Sequence, residues 1–304
     1  MTAKQQIFDA HHHLWDLDHC HYPWLMARGV KRFFGDPTPI QKNYLPKDFL
    51  VDAGEYDLVG STHIQVGVAE ADSVRETRWL QQLRDETAGG PPIPTAIVGF
   101  ADLTNDEFGE TISCHERSAA FRGVRQIIGR HPGEDAKTNS GALLDHPSFA
   151  QNLNHLARIG ASFDLQLTEY QYDRAAEVFA SVPDLAVAIC HFGSPWDQSA
   201  DGFTRWRAAM TRFAALPRMT FKFSGFGMFK ANWAASDIAP YVEAALDLFG
   251  PERCMAGTNF PVDKLYGGYG RIWRALDDLI PDDAVRAKIT HTNAMAFYRV
   301  SATA

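Results

Sequence analysis

Short apolar runs alternate with amphipathic stretches along most of the chain. Runs over 58–66, 95–100, 123–127, 162–167, 186–190, 219–223 and 254–257 favour branched and aromatic residues and are too short for helices, so they predict strands. Between them, apolar positions recur at helical spacing over 73–88, 105–114, 148–160, 171–181, 202–215, 236–249 and 270–279. Pro281-Asp282-Asp283 begins another helix, and Thr292-Asn293 opens a last one. A further strand enters at the N-terminus through Ile7 and Phe8. Eight strands alternating with helices predict an α/β fold, a parallel sheet closed into a (β/α)8 TIM barrel. A doubly wound open sheet is the competing arrangement, but no glycine-rich phosphate fingerprint follows an early strand. With no repeat, low-complexity tract or linker, residues 1–304 are expected to form a single domain.

Two stretches break the alternation. Residues 16–50 are rich in aromatics and prolines and have no period, as in Tyr22-Pro23-Trp24 and Arg32-Phe33-Phe34. An aperiodic insertion of this length after the first strand is expected to form a lid or pocket wall. Before it stands Ile7-Phe8-Asp9-Ala10-His11-His12-His13-Leu14-Trp15. On an extended strand Asp9, His11 and His13 project to one side, and Ala10 and His12 to the other. Two imidazoles leaving one strand end together form a pair suited to a metal, because neutral imidazole is a good ligand for zinc, iron or nickel.

Composition narrows the functions. A formal charge of −8 with no clustered basic stripe argues against nucleic acid or an anionic membrane as partner. The N-terminus lacks an apolar leader and no run approaches the ~20 apolar residues of a membrane span, so a cytoplasmic, soluble protein is expected. Cys20, Cys114, Cys190 and Cys254 show no CxxC spacing, which predicts neither a disulfide framework nor a thiolate zinc site. Cys190 and Cys254 lie in apolar runs and are expected to be buried thiols.

In such barrels the reactive groups sit where strands run into the following loops. Strand 1 offers His11 and His13, and strand 4 offers Arg122 and Arg125, with Arg130 and His131 in its loop. Strand 5 is followed by Gln166, Thr168, Glu169 and Tyr170. His191 ends strand 6, and Asn259, Pro261 and Asp263 follow strand 8. The ordered segments Phe8-Asp9-Ala10-His11-His12-His13, Arg122-Gly123-Val124-Arg125, His191-Phe192-Gly193, Phe221-Lys222-Phe223-Ser224-Gly225 and Gly257-Thr258-Asn259-Phe260-Pro261 resemble the amidohydrolase superfamily. The likeness is to its amidohydrolase 2 branch, which includes sugar-lactone, muconolactone-type and pyrone-dicarboxylate lactonases.

The resemblance implies a hydrolase that opens a lactone, or a similar cyclic ester, of a sugar acid or aromatic-degradation intermediate. It places His11, His13 and His191 around a divalent metal, zinc or manganese, or around a water activated without one. Non-oxidative decarboxylation of an aromatic acid is the alternative chemistry on the same layout. The strand 8 position, normally an aspartate that activates water, is Asn259, and a neutral amide cannot accept that proton. Three readings stay open: Asp263 bends back as base or ligand; His191 or His13 is the base while Asn259 orients water or the oxyanion; or the barrel only binds its ligand. Arg125 and Arg130 are expected to hold a substrate carboxylate, and either Arg122 or Arg125 could instead serve a structural ion pair. Gln166, Tyr170 and Trp15, with Tyr22, Trp24 and Phe34, are expected pocket walls for a small lactone carrying a carboxylate or hydroxyls, although the aromatics serve equally as lid packing. A homo-oligomer is compatible with all of this.

Overall fold

The structure is a computed structural model that describes residues 4–87 and 90–301. Eight strands follow one another around one sheet: β1 Gln6–His12, β2 Asp57–Ile64, β3 Ala96–Gly99, β4 Phe121–Val124, β5 Ser162–Leu165, β6 Val187–Ile189, β7 Met219–Phe223 and β8 Cys254–Ala256. Each pairs in parallel with the next. The circle closes just past the strand ends, where Asn259 N donates to His11 O and His13 N donates to Phe260 O, each at 2.7 Å. The expected (β/α)8 barrel is thereby borne out, and the open sheet is not.

The insertion carries two short helices, α1 Pro23–Met26 and α2 Pro46–Asp52. Around the barrel run α3 Ser73–Glu86, α4 Phe108–His115, α5 Pro132–Thr138, α6 Pro147–Arg158, α7 Tyr172–Ala180, α8 Ala200–Ala214, α9 Ala235–Phe249 and α10 Arg271–Leu279. The expected helix over 73–88 ends at Glu86, and residue 88 lies outside the described residues. Helix α5 has too few apolar positions for periodicity to reveal it. It is set by Pro132 at its first turn, with Glu134 and Asp135 beside the positive helix end. Asp282 caps α11 Asp283–Ala287, accepting from Ala284 N at 2.9 Å and Val285 N at 3.1 Å. The chain then continues into α12 Asn293–Phe297.

Inside the barrel, Phe8, Ala10, Val98, Ala188 and Met255 form a small apolar cluster with Ala294 and Tyr298, which come from the C-terminal helix. The main core lies between strands and helices, as on α10, where Ile272, Trp273 and Leu276 are buried. The strict alternation expected for β1 fails at a register shift between Asp9 and His12. Ala10 packs inside and His12 stacks outward on Phe49, with ring centroids 4.1 Å apart. Asp9 does not join the histidines. It accepts from Thr258 Oγ1 at 2.6 Å, Thr258 N at 3.0 Å and Tyr269 OH at 3.0 Å, tying β1 to the loop after β8. The bulge thus keeps His11 and His13 inward while turning Asp9 to the seam.

The insertion is anchored by hydrogen bonds rather than by periodic packing. Trp15 Nε1 donates to Lys42 O at 2.6 Å, Trp24 Nε1 to Val66 O at 2.5 Å and Tyr22 OH to Glu76 Oε1 at 2.8 Å. Among the described residues no helix is long and apolar enough to cross a membrane. All four cysteines are free, and Cys20, Cys190 and Cys254 are buried.

Glu76 is fully buried, and burial pushes its carboxyl up to about 8 from 4.5. A carboxyl whose folded-state value is raised adds stability that is complete below about pH 4.5 and is lost as pH rises through about 8. Glu76→Gln is therefore expected to flatten the fall of Tm between those pH values, gaining on the parent as pH rises. Parallel Tm-versus-pH curves for parent and variant would contradict it.

Candidate active site

Three histidines from two distant parts of the chain meet at the mouth where the strands end. The ring centroid of His11 is 5.1 Å from that of His13 and 4.5 Å from that of His191. All three are buried. Glycines make room for them: a side chain at Gly257 would run into the backbone of His11, and one at Gly225 would strike His191 Nδ1 and crowd Asn259. His191, Phe192 and Asn259 hold φ of 55°, 54° and 58°, a left-handed conformation that costs non-glycine residues about 1–2 kcal/mol each. Such strain concentrated at one pocket marks a place where the position of the side chain outweighs stability.

Burial dominates the electrostatics. It holds His11 well below the ordinary histidine range, helped by His191 and Lys222, and does the same to His191, helped by Arg125. His13 is lowered to about 3, by burial first and then by Arg125. The three rings are therefore neutral at pH 7 and carry lone pairs. His191 Nδ1 lies 3.1 Å from Ser224 Oγ, and its Nε2 forms no hydrogen bond among the described residues although the residue lines the cavity.

His13 is bound on both sides. Its Nδ1 donates to Ile64 O at 2.6 Å, and Nε2 lies 3.0 Å from Asn259 Oδ1. Asn259 Nδ2 donates to Asp263 Oδ1 at 3.0 Å. A neutral ring donating from Nδ1 has only a lone pair at Nε2, so an oxygen there leaves two acceptors face to face. Turning the amide puts Nδ2 on His13 and Oδ1 on a protonated Asp263. Burial pushes Asp263 up to about 7, which favours that form. Either way Asp263 reaches Asn259 and stops there, because it does not line the main cavity.

That cavity, of about 380 Å³, lies over His13, His191, Arg125, Gln166 and Asn259, with Trp24, Phe33 and Phe34 of the insertion as its outer wall. Arg125 is buried, and burial lowers it to about 10. Its NH1 lies 3.2 Å from Gln166 Oε1 and 3.5 Å from His11 Nε2, and its NH2 donates to Gln65 O. These partners engage both arms of the fork that was expected to clamp a carboxylate, while its Nε has no partner among the described residues. Arg130 also lines the cavity, and its guanidinium makes no hydrogen bond or ion pair among the described residues. Arg122 lies at the start of β4 and donates to Ala119 O and Phe121 O, away from the mouth. Tyr170 is 54% exposed, donates to Asp135 Oδ2 at 3.0 Å and does not line the cavity. Trp15 is buried behind the wall, edge-on to Trp24 at 6.0 Å, so it supports the pocket without lining it.

Beneath the histidines lies a group that the expected site residues leave out, since Asp164 and Lys222 read as ordinary strand residues and Tyr298 as a residue of the C-terminal helix. Lys222 Nζ donates to Asp164 Oδ1 and to Tyr298 OH at 2.7 Å, and Tyr298 OH donates to Asp164 Oδ1 at 2.9 Å. Strand period alone places Asp164 and Lys222 inside the barrel, and a carboxylate and an ammonium at such positions were the available signal. His11, Asp164 and Cys190 offer a nitrogen, an oxygen and a sulfur within 4.8 Å of one another. His11 Nδ1 and Asp164 Oδ2 are buried without a partner. This donor set fits a divalent ion of the zinc type better than manganese, which favours oxygen ligands. Of the three expected ligands His11 belongs to this group; hydrogen bonds occupy both nitrogens of His13, and His191 is held at Nδ1 with Nε2 left unpaired among the described residues.

Histidines from the first and sixth strands meeting at the mouth of a parallel barrel define a site of the amidohydrolase type. The chain belongs to the amidohydrolase family, whose model matches residues 8–300, as its motifs led us to expect. It is 40% identical over 299 residues to an uncharacterized protein, y4mH, of Sinorhizobium fredii, covering 97% of this chain and 98% of that one. It is 29% identical over 276 residues to an L-fucono-1,5-lactonase of Burkholderia multivorans, covering 87% and 85% of the two chains. A crystal structure of an amidohydrolase from Burkholderia multivorans with bound zinc matches with a TM-score of 0.80 at 25% identity, over 97% of this chain and 100% of the other.

Removing one member of a buried ion pair leaves the other uncompensated. Lys222→Met is expected to cost about 3–5 kcal/mol, seen as a lower urea midpoint at unchanged slope. An unchanged midpoint would show that the pair does not support the barrel.

Proposed function

We propose that the protein is a hydrolase that opens a lactone with an activated water, and that His191 is the general base. The observation that carries this reading is the neutral ring of His191, which lines the cavity, meets Ser224 Oγ at Nδ1 and has no hydrogen bond at Nε2 among the described residues, so that with Nδ1–H donating to Ser224 the lone pair lies on Nε2. The lactonase relative supports the reaction class.

In this reading His191 Nε2 takes a proton from water as its oxygen attacks the lactone carbonyl. The ring C–O bond then breaks, and the departing alkoxide takes that proton back from the imidazolium. The Arg125 guanidinium supplies positive potential for the oxyanion. Its bonds to Gln65 and Gln166 fix it in advance, so it need not reorganise as charge develops. Asn259 and Asp263 hold His13 in place, which favours the second of the three readings of Asn259. Arg130, with its guanidinium unpaired, is the group that takes a carboxylate of the substrate. When bound, a divalent ion held by His11, Asp164 and Cys190 would polarise the nearby oxygen atoms and lower the pKa of water.

The purified protein is expected to release acid from members of a panel of aldonolactones and carboxylated lactones, followed with a pH indicator. Absence of turnover across the panel overturns the reading, and carbon dioxide release from an aromatic acid would replace it with decarboxylation. His191→Ala is expected to lower kcat about a hundred- to ten-thousand-fold. Asp263→Asn keeps an amide partner for Asn259 in either orientation and is expected to lower it by no more than about tenfold. Equal losses in the two variants would make Asp263 the working base.

A further inference from the structure

A second cavity, also of about 380 Å³, adjoins the first and shares Gly67, Ile127, Arg130 and Thr138 with it. Pockets of about 300 Å³ already hold a small ligand, so the first cavity alone suffices for one lactone ring. The second is surplus to the ring-opening chemistry and has a chemistry of its own. Asp102 lines it. Its Oδ1 accepts from Thr104 N at 2.8 Å, Thr104 Oγ1 at 2.7 Å and Gln126 Nε2 at 2.8 Å. Its Oδ2 accepts no hydrogen bond among the described residues. A carboxylate fixed in this way on one oxygen presents the other to a hydroxyl donor. Phe100 and Leu143, both half-buried, give the cavity apolar faces on which the carbon side of a sugar-like ring can lie.

The two cavities meet along the residues they share. Gly67 contributes no side chain, and the Arg130 guanidinium, free of hydrogen bonds among the described residues, can turn without breaking one. A substrate spanning both cavities would pass Arg130.

We propose that the second cavity is a binding subsite for a hydroxylated unit, of the size of one sugar ring, carried on the lactone. The inference rests on the lactonase reading and deepens it: the preferred substrate is a glycosylated or similarly extended lactone, larger than the single ring that the reaction itself needs. Binding energy gained at a distance from the scissile bond serves to orient it, so the extension raises kcat/KM.

The test compares kcat/KM for gluconolactone with that for cellobionolactone and maltobionolactone, which are the same ring carrying a second sugar. At least one extended lactone is expected to exceed the simple one by tenfold or more. Leu143→Trp, which fills the second cavity, is expected to bring that ratio to about one, and Phe100→Ala to lower it several-fold. Reading the ratio cancels any general loss in a variant, and two variants guard against misfolding of either. Equal values for simple and extended lactones in the parent, or a ratio unchanged in both variants, would overturn the subsite while leaving the lactonase reading intact. If neither kind is opened and the wider panel is also inert, the lactonase reading falls and this inference with it.

Discussion

The seam between the first and last strands is the constraint on which the site depends. β1 and β8 do not share a long ladder. They are joined by Asn259 N to His11 O and His13 N to Phe260 O, and by the Asp9 carboxylate gripping Thr258 and Tyr269. Closure at these residues brings the strand 1 histidines against Asn259. A one-residue slip would point His12 inward in their place. The register shift at Asp9 and His12 is what allows the same short strand to bury Ala10, aim His11 and His13 at the mouth, and spend Asp9 on the seam.

Charge follows from that closure. Burial makes the imidazoles neutral, and two cations held nearby, Arg125 at the mouth and Lys222 below it, reinforce the effect. Each cation has a fixed place: Arg125 between Gln65 and Gln166, and Lys222 on Asp164 and Tyr298. The site therefore combines bases that are unprotonated at neutral pH with positive charge that cannot wander, which is what attack of water on a carbonyl demands.

Much of this architecture is legible in the chain because strand and helix periods differ. The barrel, the order of its strands and the strand-end positions of His11, His13, His191 and Asn259 all follow from pattern. What escaped was set by tertiary contact. The bulge at Asp9 has no periodic signature, α5 depends on a proline and its flanking acids, and the loss of Arg125 to Gln65 and Gln166 is visible only once loops from three strands meet. Tyr170 and Trp15 were read as pocket walls from their places after strand ends. The loop after β5 turns Tyr170 outward to Asp135, and Trp15 is claimed by the carbonyl of Lys42. Asp263 is a base or ligand in one of the three readings of Asn259; its carboxyl bonds the Asn259 amide and it is not among the residues that line the main cavity.

The central claim is that three neutral imidazoles converge at the barrel mouth and that the free nitrogen of one receives a proton from water. Nitrogen NMR of histidine-labelled protein, titrated with pH and assigned with single-histidine variants, tests it most directly. Signals of His11, His13 and His191 with the shifts of neutral imidazole at about pH 5, more than a unit below the ordinary histidine value, are what the account predicts. An imidazolium pattern for His191 at pH 7 would contradict it.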